Sequence, residues 1–196
     1  MLSKQLLSAI AIALTIYAYY PYIRSIGRNE IRPHVFSWVI WGITTVIVFF
    51  AALQADGGAG AWVIGISGAI AIFIAFLAFQ KKGDIHITKT DWLFFLAAIS
   101  SLPVWYFTSD PVWSVVILTL VDVLGFGPTI RKAYDQPYSE PMNFYALFAV
   151  RNVIVMFALE SYSLTTVLFP AATGAACLLL ILLIYLRRSA GPDQLD

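Results

Sequence analysis

Apolar residues in this chain come in long unbroken runs, separated by short polar breaks. Seven runs stand out, over about 5–23, 35–54, 60–80, 91–108, 111–130, 141–159 and 163–186. Each approaches the ~20 residues a helix needs to cross a hydrocarbon core about 30 Å thick, at about 1.5 Å per residue. No run alternates polar and apolar positions, so the pattern predicts helices rather than barrel strands. The breaks carry helix-ending chemistry. Asp56-Gly57-Gly58 parts the second run from the third, and Gly83-Asp84 parts the third from the fourth. Asp110-Pro111 reads as an N-cap followed by proline at the first helical position. The tail after Arg188 is polar.

Composition agrees with that pattern. The chain is 60% hydrophobic and 12% charged, with a mean hydropathy of +0.82. Soluble domains carry about twice that charged fraction, so most of the chain is expected to face lipid or other apolar helices. A net charge of +1 gives no basic surface for nucleic acid. Cys177 is the one cysteine, which excludes an internal disulfide or a cysteine metal cluster. The first run follows Lys4 without an A-x-A cleavage pattern and is expected to be a retained helix.

Lysine and arginine predict orientation. Arg24, Arg28, Arg32, Lys81, Lys82, Lys89, Arg131, Lys132, Arg187 and Arg188 fall on one face, and Lys4 on the other. The N-terminus is therefore expected outside and the C-terminus in the cytoplasm, with a bacterial cytoplasmic membrane as the expected location.

A motif recurs at the joints. Pro21-Tyr22-Ile23-Arg24 precedes Pro33-His34-Val35-Phe36, and Pro128-Thr129-Ile130-Arg131 precedes Pro141-Met142-Asn143-Phe144. The shared pattern is P-x-I-R, a short polar loop, then P-x-x-F. Other positions keep nearly the same offset: Leu14-Thr15-Ile16 aligns with Val121-Asp122-Val123, Thr44 with Asn152, and Ser67-Gly68-Ala69 with Thr173-Gly174-Ala175. An offset held over three helix pairs predicts one three-helix unit built twice. A direct second triplet would be inverted, so the fourth helix is expected to restore direction. The expected fold is all-α, with seven transmembrane helices in a 3+1+3 arrangement. Residues 1–82 form the first repeat, 83–109 the linker helix, 110–188 the second repeat and 189–196 a cytoplasmic tail.

The paired prolines, the basic residue three positions on and the 3+1+3 layout resemble the PQ-loop proteins, which include the SWEET sugar facilitators. The resemblance covers about residues 5–186. Tyr22 and Thr129 stand where the family's defining glutamines would be. The resemblance implies a transporter or facilitator of a small polar solute, working by alternating access of two three-helix bundles. It also implies a hinge role for Pro21, Pro33, Pro128 and Pro141.

Several side chains are candidates for a solute site. Asp122 and Arg151 are the charges inside apolar runs, each about 13–15 Å deep by helical rise; an ion pair between the fifth and sixth helices is expected. Asn152 and its mate Thr44 offer hydrogen-bonding groups. Ser67 and Thr173 sit in small-residue stretches, and the resemblance implies that their helices contribute polar residues to the pocket. Trp41 and Trp38 share a helix face, and Trp41 is deep enough to stack a sugar ring. Trp92, Trp105, Trp113, Tyr162 and Tyr185 read as interface anchors. His34 and His86 lack metal-ligand spacing, and no catalytic motif occurs. An enzyme, a metal site and a cofactor are therefore not expected. A neutral sugar could use the hydroxyl partners and the tryptophan face, and an anionic or zwitterionic solute could use Arg151; both stay open. The alternative function is a seven-helix binding or sorting receptor without flux. A homo-oligomer also stays open.

Overall fold

The computed structural model describes residues 3–30, 35–82, 89–126, 129–130, 133–134, 137–138 and 142–189. Among them are seven α-helices and no strand: α1 (Lys4–Gly27), α2 (Val35–Gln54), α3 (Gly58–Gln80), α4 (Lys89–Thr108), α5 (Pro111–Leu124), α6 (Met142–Ala158) and α7 (Leu164–Ser189). Four of them, α1, α2, α3 and α7, are long and apolar enough to cross a membrane. The other three are shorter or less apolar than the runs suggested. At 14 and 17 residues, α5 and α6 are about 21 and 25 Å long by helical rise.

Local chemistry sets the helix starts and stops. Ser3 accepts a hydrogen bond from the Leu6 N–H and opens α1. Asp110 accepts from Val112 N–H, with Pro111 in the first turn of α5. Two stops differ from expectation. Pro21 lies inside α1, which continues to Gly27, instead of helping to end it. The fifth run stops at Leu124, with Gly125 as its C-cap, six residues before the expected end at 130. Pro33, Pro128 and Pro141 lie outside the described residues, as do His34 and His86.

Packing order matters more here than sequence order. α3 packs against both α1 and α2, while α7 packs against both α5 and α6. Across the two groups, α1 packs on α6 and α2 on α5. α4 lies against α5 and α2. The α2–α3 seam is close because of its glycines. A Cβ on Gly42 would lie 2.7 Å from Ile72 Cγ1, and one on Gly68 would lie 2.9 Å from Val46 Cγ2. The main core gathers Ala11, Val48, Ala51, Val63, Ile64, Val115, Leu118, Val155 and Phe169 from six helices. Outward faces carry large apolar side chains, among them Phe73, Phe76, Leu179 and Leu182.

The Lys4 end of the bundle is tied by polar contacts between distant segments. The Lys4 ammonium donates to the carbonyls of Phe157, at 2.8 Å, and Leu159, at 2.6 Å. It also lies over the Tyr162 ring. A cation on the last carbonyls of α6 meets the negative end of the helix dipole. Glu160 accepts from Ala59 N–H at 3.3 Å and donates its own N–H to the Gly57 carbonyl at 3.2 Å. Gly57 has no side chain with which to cap α3, so a carboxylate from a remote loop takes that position. Ser8 completes the tie by donating to the Ala59 carbonyl at 2.7 Å. At the opposite end, Arg187 and Arg188 donate to the carbonyls of Tyr134 and Pro137.

Trp92, Trp113, Tyr162 and Tyr185 lie near helix ends with exposed rings, where interface anchors are expected. Trp105 differs: it is partly buried against the main core.

Candidate functional site

Arg151 sits in the middle of α6 and is 4% exposed. Its guanidinium reaches three helices. Nε donates to Thr15 Oγ1 of α1 at 3.1 Å, and Nη1 to Asn152 Oδ1 at 2.7 Å. Nη2 donates to the Val63 carbonyl of α3 at 3.0 Å and to Ser67 Oγ. Phe148, one turn earlier on α6, places its ring 5.9 Å from the guanidinium carbon.

All four partners of this cation are neutral oxygens. Thr15 and Ser67 keep their own protons engaged, donating to the carbonyls of Ala11 at 2.8 Å and Val63 at 3.0 Å. They therefore face Arg151 purely as acceptors. Helix geometry explains the arrangement: a serine or threonine hydroxyl inside a helix bonds the carbonyl one turn back and leaves its lone pairs outward. The planar fork of arginine then spans acceptors on two helices at once, which a lysine ammonium cannot do.

The expected ion pair between Asp122 and Arg151 is not formed. The ion pair among the described residues is Arg28 with Glu30, at 3.7 Å. The reason lies in the packing order. α6 turns Arg151 toward α1 and α3, while α5 packs on α2, α4 and α7. Helices adjacent in sequence are not the neighbours that share these charges. Asp122 is also shallower than expected, because α5 ends two residues later.

Asp122 lies on the inward stripe of α5. Val115, Leu118 and Thr119 are buried there, at the spacing that puts them on one face with Asp122. Trp41 of α2 is beside the end of that stripe, since a Cβ on Gly125 would lie 3.1 Å from its indole nitrogen. From Trp41 a chain of ring contacts runs toward Arg151. Trp41 meets Trp38 with centroids 5.2 Å apart. Trp38 meets Tyr19 at 6.2 Å, and Tyr19 meets Phe148 at 5.2 Å. Tyr22 accepts a hydrogen bond from the Trp38 indole at 3.3 Å. The two charges thus flank one aromatic cluster built from the Arg24 end of α1 and the facing turns of α2 and α6.

The remaining candidates divide. Ser67, Arg151 and Asn152 come together directly, with Thr15 as a fourth member. Thr173 is buried but turns its hydroxyl back to the Phe169 carbonyl at 2.8 Å. Its neighbour Gly174 gives Asn152 room, since a Cβ there would lie 3.2 Å from Asn152 Cβ. Thr44 is buried and donates to the Trp41 carbonyl at 3.0 Å. Trp41 belongs with Asp122 rather than with the Arg151 group. Sequence reasoning passed over Tyr19, Phe148 and the Val63 carbonyl. Tyr19 and Phe148 look like ordinary members of an apolar run, and a carbonyl has no sequence signal.

Comparison with protein-family models, curated proteins and solved structures finds no match. Among the described residues, no group of three His, Cys, Asp or Glu side chains is placed to hold a metal.

Proposed function

We propose that this chain is a multi-pass membrane transporter or facilitator for a small polar solute, working as a divergent member of the PQ-loop or SWEET-like type. Two three-helix bundles, α1–α3 and α5–α7, would move against each other, with α4 as the linker in a 3+1+3 plan. The observation that carries this reading is a polar group buried where the two bundles meet. Arg151, Asn152, Thr15 and Ser67 join α6 to α1 and α3 in a largely apolar interior. Intramembrane charge is expensive and commonly marks a solute path.

The packing order supports the two-repeat plan. In each triplet the third helix packs against both others, and the first helix of each packs on the second helix of the other. Such an order is what a pseudo-twofold axis along the membrane normal would produce. In this reading Trp41, Thr44, Ser67, Asp122, Arg151, Asn152 and Thr173 surround the solute path, and Pro21, Pro33, Pro128 and Pro141 serve as hinges. Pro21 suits that role, because a proline inside α1 removes one helical hydrogen bond. The Arg24 end would be cytoplasmic.

The test is uptake into proteoliposomes holding the purified chain, screened with labelled sugars, amino acids and amines. Saturable flux, lost on Arg151→Lys with folding retained, supports the proposal. Saturable binding without flux for every solute would replace it with a receptor.

A further inference from the structure

Thr119 of α5 departs from most of the buried helix hydroxyls. Thr15, Ser67, Ser101 and Thr173 each return their proton to a carbonyl three or four residues back. Thr119 does not. It is 4% exposed, and its Oγ1 is the buried side-chain oxygen or nitrogen without a hydrogen-bond partner among the described residues. Such an orphan is uncommon in a folded interior and asks for an explanation. Three residues on, along the same face of α5, Asp122 makes no ion pair or side-chain hydrogen bond among the described residues. Two adjacent polar groups on one inward stripe are therefore both without partners. The stripe belongs to a helix packed on α2 and α7, and Trp41 of α2 lies beside its end.

We propose that Thr119, Asp122 and Trp41 form a subsite for a positively charged nitrogen of the carried solute, an ammonium group. The inference rests on the transport reading for its role in flux, but not for binding. An ammonium would donate to the Asp122 carboxylate and the Thr119 hydroxyl oxygen, with the Trp41 indole at the end of the stripe. Hard metal cations want six or more oxygens, and two side-chain oxygens beside an aromatic ring suit an organic cation better. Arg151 is a poor alternative anchor for the solute, because four of its donors are already taken by protein oxygens. On this assignment Arg151 clamps helices and Asp122 receives the ligand.

Ethylammonium chloride is the probe, compared with sodium chloride at equal ionic strength and fixed pH. Thermal unfolding of the purified full chain in detergent is the readout. Three heavy atoms limit such a ligand to Kd values around a millimolar. At a hundredfold excess over Kd the expected rise in Tm is about 5 °C or more. Asp122→Asn abolishes the response. Thr119→Val keeps the shape of the side chain and raises Kd about tenfold or more, by removing one acceptor from a charged donor. If Asp122→Asn fails to fold, Thr119→Val decides alone. An equal shift with sodium chloride, no shift, or a Kd unchanged in Thr119→Val overturns the assignment. Flux of a neutral solute without an ammonium response would sink this subsite and leave the transporter standing. An ammonium response without flux would do the reverse.

Discussion

Replacing Arg151 by lysine and by methionine should give an order of stabilities that a conservative-substitution argument would reverse. Lysine keeps the charge but has one donor centre. It cannot reach Thr15 of α1 and the Val63 and Ser67 oxygens of α3 together, so at least two of the four bonds are lost. Each bond to a charged donor contributes about 1.5–3 kcal/mol, so Arg151→Lys should cost about 3–6 kcal/mol. Methionine removes the charge altogether, and with it the penalty for holding an ion in an apolar interior. Thr15 and Ser67 keep their own donors engaged, which leaves Asn152 Oδ1 as the atom that loses its partner, at about 1–3 kcal/mol. The two effects oppose, and Arg151→Met should stay within about 2 kcal/mol of the parent. For a chain of this size 1 kcal/mol moves Tm by about 2–4 °C. Tryptophan fluorescence during thermal unfolding in detergent should place Arg151→Lys about 6–24 °C below the parent, with Arg151→Met above it. If Arg151→Met proves the less stable of the two, a carboxylate balances Arg151 and the neutral-oxygen account is wrong.

The Lys4 end offers two further tests. Lys4→Met removes both bonds, to the carbonyls of Phe157 and Leu159 at the end of α6, worth about 1.5–3 kcal/mol each. It should raise the labelling rate of a Ser8→Cys probe by membrane-impermeant maleimide, and an unchanged rate would show that the tie does not hold that end closed. Gly60→Ala puts a Cβ 2.8 Å from the Leu159 backbone nitrogen, so it should lower stability by about 1–3 kcal/mol through overpacking, measured as a drop in Tm. Pro21→Ala restores a backbone donor inside α1. It should raise Tm while slowing flux with binding unchanged, and unaltered flux would remove Pro21 from the hinges.

Helix positions were largely legible in the sequence, because long apolar runs and cap residues are local signals. Val35–Gln54 falls where the run predicted, and most other ends agree within four residues. Gly125 ended α5 early because a helix stop can sit inside an apolar run without a polar break. The group around Arg151 was half legible. Ser67 and Asn152 were named as candidates, but the partner assigned to Arg151 was wrong. Charge and depth can be read from sequence, whereas helix adjacency depends on packing, and α5 and α6 face different partners. Thr119 left no signal at all. A threonine inside a helix is ordinary, and only the lack of any partner for its buried oxygen sets it apart.

The guanidinium of Arg151 has a mechanical consequence. It fixes α6 to α1 and α3 about halfway along each helix, with three acceptors that a sliding motion would strip from a buried cation. α6 therefore cannot draw apart from α1 and α3 at that level, though it can tilt about it. A point held at constant separation between two rods acts as a fulcrum. Loosening the Lys4 end would then press the Arg24 ends of α1 and α6 together, closing Tyr19 onto Phe144 and Phe148. Both ends could not stand open at once, and a leak through the bundle would be prevented by the linkage itself.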